Sequence, residues 1–254
     1  METLKNKRVL ITGASAGIGR ATAWSLAYHG AELFLVARRE EKLKELKSEI
    51  SQKYPDLKIH LQAMDVNDKM LPEILAQFTG EKIDILINNA GLALGRDKVE
   101  TLNWDDVEGM ISTNITANFR VARTVVPWML GQGSGDIINL CSVAGHYTYQ
   151  GGAVYCATKF AVQAFTRVLR EETAGRNLRV MQVSPGMVDT EFSTVRFKGD
   201  ADLAKTVYKG MDPLVAEDIS EMMIFMLTRP RHVVIDEILT TPQAQGSITT
   251  VVRK

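Results

Sequence analysis

Residues 8–30 read RVLITGASAGIGRATAWSLAYHG. The first five form an apolar, β-branched run that stops at Gly13. From Gly17 to His29, apolar residues such as Ile18, Ala21 and Leu26 recur at helical spacing until Gly30 closes the segment. A strand, a tight glycine turn and a helix in that order open a βαβ unit, and the alternation continues along the chain. Further strands are predicted at 32–37, 58–63, 83–88, 136–141 and 179–184. Between them lie helices at 39–52, up to Thr79, at 104–126 and at 155–171; an irregular stretch to about Met211 follows, then a helix at 215–228 and a strand at 233–239. Strands apolar on both faces and joined by helices make a parallel sheet covered on both sides. The prediction is an α/β chain: one domain over residues 1–254, built on a doubly wound sheet of about seven parallel strands with right-handed crossovers.

Composition narrows the function. Hydrophobic residues make up 45% of the 254 and charged residues 24%, as in folded globular proteins. Thirty Lys and Arg balance thirty Asp and Glu, so no basic surplus points to a nucleic-acid or anionic-membrane partner. No apolar run has the length of a membrane span or of a signal-peptide core. Two cysteines cannot build a disulfide framework. His29, His60, His146 and His232 lack metal-ligand spacing. These features predict a soluble cytoplasmic protein without a metal.

A doubly wound sheet takes its ligand beyond the carboxyl ends of its strands. At the first end, Gly13, Ser15, Gly17, Ile18 and Gly19 offer backbone that a pyrophosphate can approach, followed by the positive end of a helix. The spacing is Gly-x3-Gly-x-Gly, not the common Gly-x-Gly-x2-Gly; a plain strand–helix connection would also use glycine. The second strand runs into Arg38 and Arg39, where an NAD site would carry a carboxylate for the ribose 2′-OH. Two cations there suit a 2′-phosphate and so NADP(H). Asp65, before Val66, either accepts from an adenine amino group or caps the next helix. Asn89, Ala90 and Gly91 end the fourth strand with residues small enough for a cofactor to lie along the backbone.

The later strand ends carry a proton-transfer set. Tyr155 and Lys159 share a helix face. A free phenol titrates near ~10, and an adjacent ammonium lowers that value, which makes the phenol useful in proton transfer. Ser142 lies just past the fifth strand, and Asn114 is a polar residue inside a helix with apolar neighbours. Cys141 and Cys156 have no histidine partner and read as small wall residues.

Taken in order, Thr12-Gly-x3-Gly17-Ile-Gly19, Asn88-Asn-Ala-Gly91, Asn114, Ser142, Tyr155-x3-Lys159 and Pro185-Gly186 with Thr190 make the chain resemble the short-chain dehydrogenase/reductase family, over nearly its whole length. The resemblance implies a Rossmann fold, with Tyr155 as general acid/base and Lys159 on the nicotinamide ribose. It also implies Ser142 on the substrate carbonyl, Asn114 holding a relay water, and Pro185, Gly186, Val188 and Thr190 beside the nicotinamide. It implies a homotetramer as well. Many NADP-using members carry Arg or Lys in the glycine loop, where this chain has Ala16, so the cofactor reading rests on Arg38 and Arg39.

Residues 89–95, 190–200 and 238–242 are similar to the branch of NADP-dependent 3-hydroxy acid dehydrogenases that act on serine or L-allo-threonine. That implies a small hydroxy acid or carbonyl substrate beneath a loop at about 186–212, with Arg196, Lys198, Tyr149 and Gln150 as candidate contacts. The alternatives are a reductase of 3-oxoacyl thioesters or of general aldehydes and ketones, and a non-enzymatic NADP-binding protein, which the full Asn114, Ser142, Tyr155 and Lys159 set disfavours.

Overall fold

In a computed structural model that describes residues 2–254, seven strands form one sheet in the order β3-β2-β1-β4-β5-β6-β7, every pairing parallel. The strands are β1 Arg8–Thr12, β2 Glu32–Ala37, β3 Ile59–Ala63, β4 Ile85–Asn88, β5 Gly135–Leu140, β6 Leu178–Pro185 and β7 Glu237–Thr240. The helices are α1 Gly17–Tyr28, α2 Glu40–Lys53, α3 Leu71–Thr79, α4 Trp104–Ile111, α5 Asn118–Gln132, α6 Ala153–Thr173, α7 Glu191–Arg196, α8 Ala201–Thr206 and α9 Ala216–Leu227.

Alternation along the strands builds a core on each face. Val9 and Ile11 of β1, with Leu33 and Leu35 of β2, pack with Leu26 of α1, Leu43 and Leu46 of α2, and Met223 of α9. Leu10, Phe34 and Val36 point the other way, onto Leu75 of α3, Val121 and Val125 of α5, and Leu169 of α6. Each such fully buried aliphatic side chain contributes roughly 1.5–3 kcal/mol by leaving water. The doubly wound sheet expected from the sequence is what these two cores enclose.

The differences are local. The predicted helix over 104–126 extends to Gln132, through Pro127, and stops where Gly133 takes φ +76° and Ser134 N–H bonds the Met129 carbonyl. It is also broken in the middle by a π-helical turn at Ser112–Ala117. The irregular stretch before Met211 holds the short helices α7 and α8. The last strand starts at Glu237 instead of Val233, because Val233 N–H closes a turn on the Pro230 carbonyl. Among the described residues, no helix is long and apolar enough to cross a membrane, and no group of three or more His, Cys, Asp or Glu could hold a metal ion.

The strand order reverses between β1 and β4. There the carboxyl ends of β1, β2, β4, β5 and β6 meet a cavity of about 490 Å³. This is the place where an open α/β sheet takes its ligand.

Candidate active site

One end of the cavity is a glycine-lined turn at the start of a helix, a backbone geometry that suits a phosphate. Gly13 and Gly17 take φ +68° and +50°, a region that side chains disfavour. A Cβ on Gly13 would also lie 2.8 Å from Asn89 Nδ2. That amide donates to the carbonyls of Thr12 (2.8 Å) and Gly13 (3.2 Å). The Thr12 hydroxyl in turn accepts from the N–H groups of Asn89 and Ala90, at 3.0 Å each. Asn89 and Thr12 thus weld β1 to β4 beneath the cradle; Thr12 was not a site candidate from sequence. Helix α1 starts at Gly17 with no side-chain cap, so its first N–H groups remain available to an anion. Gly19 is buried inside α1 and lets that helix close on Gly13 and Asn89.

Arg39 stands over this end. Its Nε and one terminal nitrogen donate to Ser15 Oγ at 3.4 and 3.2 Å, and the other terminal nitrogen pairs with Glu191 at 2.8 Å. Arg38 lies 4.0 Å from Asp65, whose other oxygen accepts from Asn67 N–H at 2.9 Å. Val66, Ala90, Gly91, Pro185, Gly186, Val188 and Thr190 line the same wall.

The middle of the cavity brings together Ser142, Tyr155 and Lys159. Ser142 follows β5; its hydroxyl accepts from Ala144 N–H at 3.1 Å and points toward the Pro185 carbonyl at 3.5 Å. Helix α6 presents Tyr155 and Lys159 on one face. Lys159 Nζ donates to the Leu140 carbonyl at 3.0 Å and stands 5.8 Å from the centre of the Tyr155 ring. Burial pushes the Lys159 ammonium pKa down. Burial also pushes the Tyr155 phenol up to about 12, opposed first by the charge of Arg196 and then by a hydrogen bond from Ser142. The adjacent ammonium expected to lower the phenol therefore does not dominate: Lys159 is itself desolvated and bonded elsewhere, and Arg196 exerts the larger pull.

Asn114 sits in the π-helical turn, one layer behind the cavity. Its amide donates to the Leu92 carbonyl (2.8 Å) and to Thr158 Oγ1 (3.0 Å), and its oxygen accepts from Leu92 N–H (2.8 Å). A π turn aims a helical side chain that a regular helix would rotate away, a frequent device at functional sites.

At the far end the structure divides the four loop candidates. Tyr149 and Arg196 line the cavity and are joined by a 3.1 Å hydrogen bond from Arg196 to the Tyr149 hydroxyl. Gln150 is exposed and outside the lining. Lys198, at φ +53°, turns to Asp106 at 2.8 Å and also lies outside it. Arg96, Phe192, Tyr208 and Gln245 line the cavity without having been singled out from sequence. Gln245 lies near the C-terminus and reaches back to accept from Met187 N–H at 2.9 Å. No local motif marks these four, because they converge only through loop folding.

Comparison with known proteins places this geometry. The short chain dehydrogenase family model matches residues 7–201. An NADP-dependent 3-hydroxy acid dehydrogenase of Schizosaccharomyces pombe is 46% identical over 258 residues, covering 100% of this chain and 99% of the relative. A sulfoacetaldehyde reductase of Chromohalobacter salexigens is 39% identical, over 94% of this chain and 95% of the relative. A solved serine dehydrogenase, in its closed form complexed with NADP+, superposes with a TM-score of 0.88 at 38% identity, over 97% of this chain and 99% of that one.

Proposed function

The chain belongs to the short-chain dehydrogenase family, and from that premise we propose that it is an NADP-dependent oxidoreductase that interconverts short 3-hydroxy acids with their carbonyl forms. Serine, allo-threonine and 3-hydroxybutyrate typify the substrate class. One observation carries the reading: a single cavity runs from Arg39 and Ser15, past Ser142 and Tyr155, to Arg196. The full-length likeness to a 3-hydroxy acid dehydrogenase supports it.

The residues present fit a phosphorylated dinucleotide. The positive-φ glycine turn at Gly13 and Gly17, the uncapped start of α1 and the two arginines after β2 suit a pyrophosphate and a 2′-phosphate. When bound, NADP(H) supplies or accepts the hydride. Gly13, Ser15, Gly17 and Ile18 would hold its phosphates, Arg38 and Arg39 the 2′-phosphate, Asp65 and Val66 the adenine, and Asn89 to Gly91 with Lys159 the riboses. Pro185, Gly186, Val188 and Thr190 would hold the nicotinamide.

Ser142 holds the substrate oxygen beside Tyr155. In oxidation the Tyr155 oxygen takes the hydroxyl proton, and in reduction it returns it. Asn114 fixes the Leu92 backbone and bonds Thr158, the residue before Lys159 on α6. The whole chain serves as one domain, with residues 186–212 as the substrate loop. Buried free thiols at Cys141 and Cys156 suit a reducing cytoplasm. Partly exposed Phe225 on α9 and Leu239 on β7 suit subunit contacts in a homotetramer.

The test is reduction of NADP or NAD by serine, allo-threonine, 3-hydroxybutyrate and 3-hydroxypropionate, read by absorbance of the reduced nicotinamide. At least one acid should be oxidised, with NADP preferred by about tenfold or more. Preference for NAD, or turnover confined to neutral alcohols or thioesters, contradicts the proposal.

A further inference from the structure

Arg196 carries a charge that the protein itself leaves unanswered. Its buried Nε has no hydrogen-bond partner, and among the described residues no carboxylate pairs with its guanidinium. Its one polar contact is the Tyr149 hydroxyl. A buried charged donor left unpaired is costly, so such a group at a cavity wall implies a ligand. The two acids that line the cavity, Asp65 and Glu191, are engaged by Arg38 and Arg39 at the phosphate end. Beyond Tyr155 the charged residues of the lining are both cations: Arg196 and Arg96, whose guanidinium lies 5.9 Å from the Tyr149 ring centre.

Arg196 is also held rigidly. Its guanidinium carbon lies 5.0 Å from the Tyr155 ring centre and 5.2 Å from that of Phe192, and its backbone carbonyl accepts from Gly95 N–H at 2.9 Å. A planar fork fixed in this way binds a carboxylate through two parallel N–H donors. In a 3-hydroxy acid the carbinol and carboxyl carbons are two C–C bonds apart, about 2.5 Å. That span suits a carbinol at the Tyr155 hydroxyl and a carboxylate under the cation above the same ring.

We infer that Arg196, with the Tyr149 hydroxyl, is the anion subsite that selects substrates bearing a carboxylate two C–C bonds from the reacting carbinol. This deepens the proposed function and rests on it for the position of the reacting carbon. A cation here has a second consequence. Because its charge favours the phenolate, neutralising Arg196 also slows neutral substrates, so selectivity is read as a ratio.

The experiment compares wild type with Arg196→Met and Arg196→Lys on 3-hydroxybutyrate and on its methyl ester, with NADPH titration as a check on folding. Melting temperature of each NADP complex, with and without 3-hydroxybutyrate, gives a readout independent of turnover. Arg196→Met should lower the acid-to-ester ratio of kcat/KM by about 10- to 100-fold, the loss of a charge-assisted contact. Arg196→Lys should recover part of that ratio. The acid should raise the melting temperature of wild type by about 2–5 °C and leave Arg196→Met unmoved. An unchanged ratio, or equal stabilisation of both proteins by the acid, overturns the inference. If wild type binds the acid through Arg196 yet oxidises none, the subsite stands and the proposed reaction fails.

Discussion

Replacing Arg39 with alanine isolates the 2′-phosphate from the rest of the cradle. A hydrogen bond to a charged group contributes about 1.5–3 kcal/mol. Arg39 must first leave Glu191, and an exposed pair of that kind, 48% and 53% exposed here, is worth at most about 1 kcal/mol. The net loss on Arg39→Ala is then about 1–2 kcal/mol, or about 5- to 30-fold weaker NADPH binding. NADH lacks the phosphate and should bind within about twofold of wild type. The pairing adds a second arm. Glu191→Gln removes the competing carboxylate and should tighten NADPH by up to about fivefold when Arg39 is present, and not when it is alanine. Both constants come from titrating reduced nicotinamide fluorescence at fixed ionic strength. Equal losses for NADH and NADPH, or no loss for either, would refute the assignment of Arg39.

The raised Tyr155 pKa fixes a pH dependence. A phenol held up to about 12 is neutral at ordinary pH, so it is ready to give a proton in reduction and must lose one to serve oxidation. Oxidation kcat/KM should climb from about pH 7 to about pH 9.5 while reduction does not rise; steady-state rates across that range decide it, and falling oxidation contradicts the assignment. At the opposite end of the strands, Arg179 donates to both carboxylate oxygens of Asp136 at 2.7 Å, with side chains 3% and 9% exposed. Asp136→Asn should cost about 3 kcal/mol and lower the melting temperature by about 6–12 °C, as thermal unfolding would show.

Legibility followed the range of the interactions. Gly13 and Gly17 declared the cradle because the turn demands positive φ, a local requirement. The apolar strands declared the sheet because the inner ones, β1, β2, β4, β5 and β6, are buried on both faces over nearly all their length, whereas the edge strands β3 and β7 stay half-exposed. Ser142, Tyr155 and Lys159 were readable because each sits at a fixed offset from a strand end or on one helix face. The phenol's pKa was not, since it depends on burial and on Arg196, forty-one positions away in sequence and beside it in space. Arg196 and Lys198 looked equivalent as cations in one loop. The short helix α7 ends between them, leaving the first over the cavity and the second paired with Asp106. The π turn around Asn114 was also hidden, because its inserted geometry is set by contacts to Leu92 and Thr158 and not by its own residues.

The direct measurement is Tyr155→Phe, followed for both NADPH binding and NADP-dependent oxidation of a 3-hydroxy acid. Removing the phenolic oxygen should leave the NADPH dissociation constant within about twofold and cut turnover by at least about a hundredfold. A variant that binds NADPH normally and keeps more than about a tenth of wild-type turnover would contradict proton transfer through this residue.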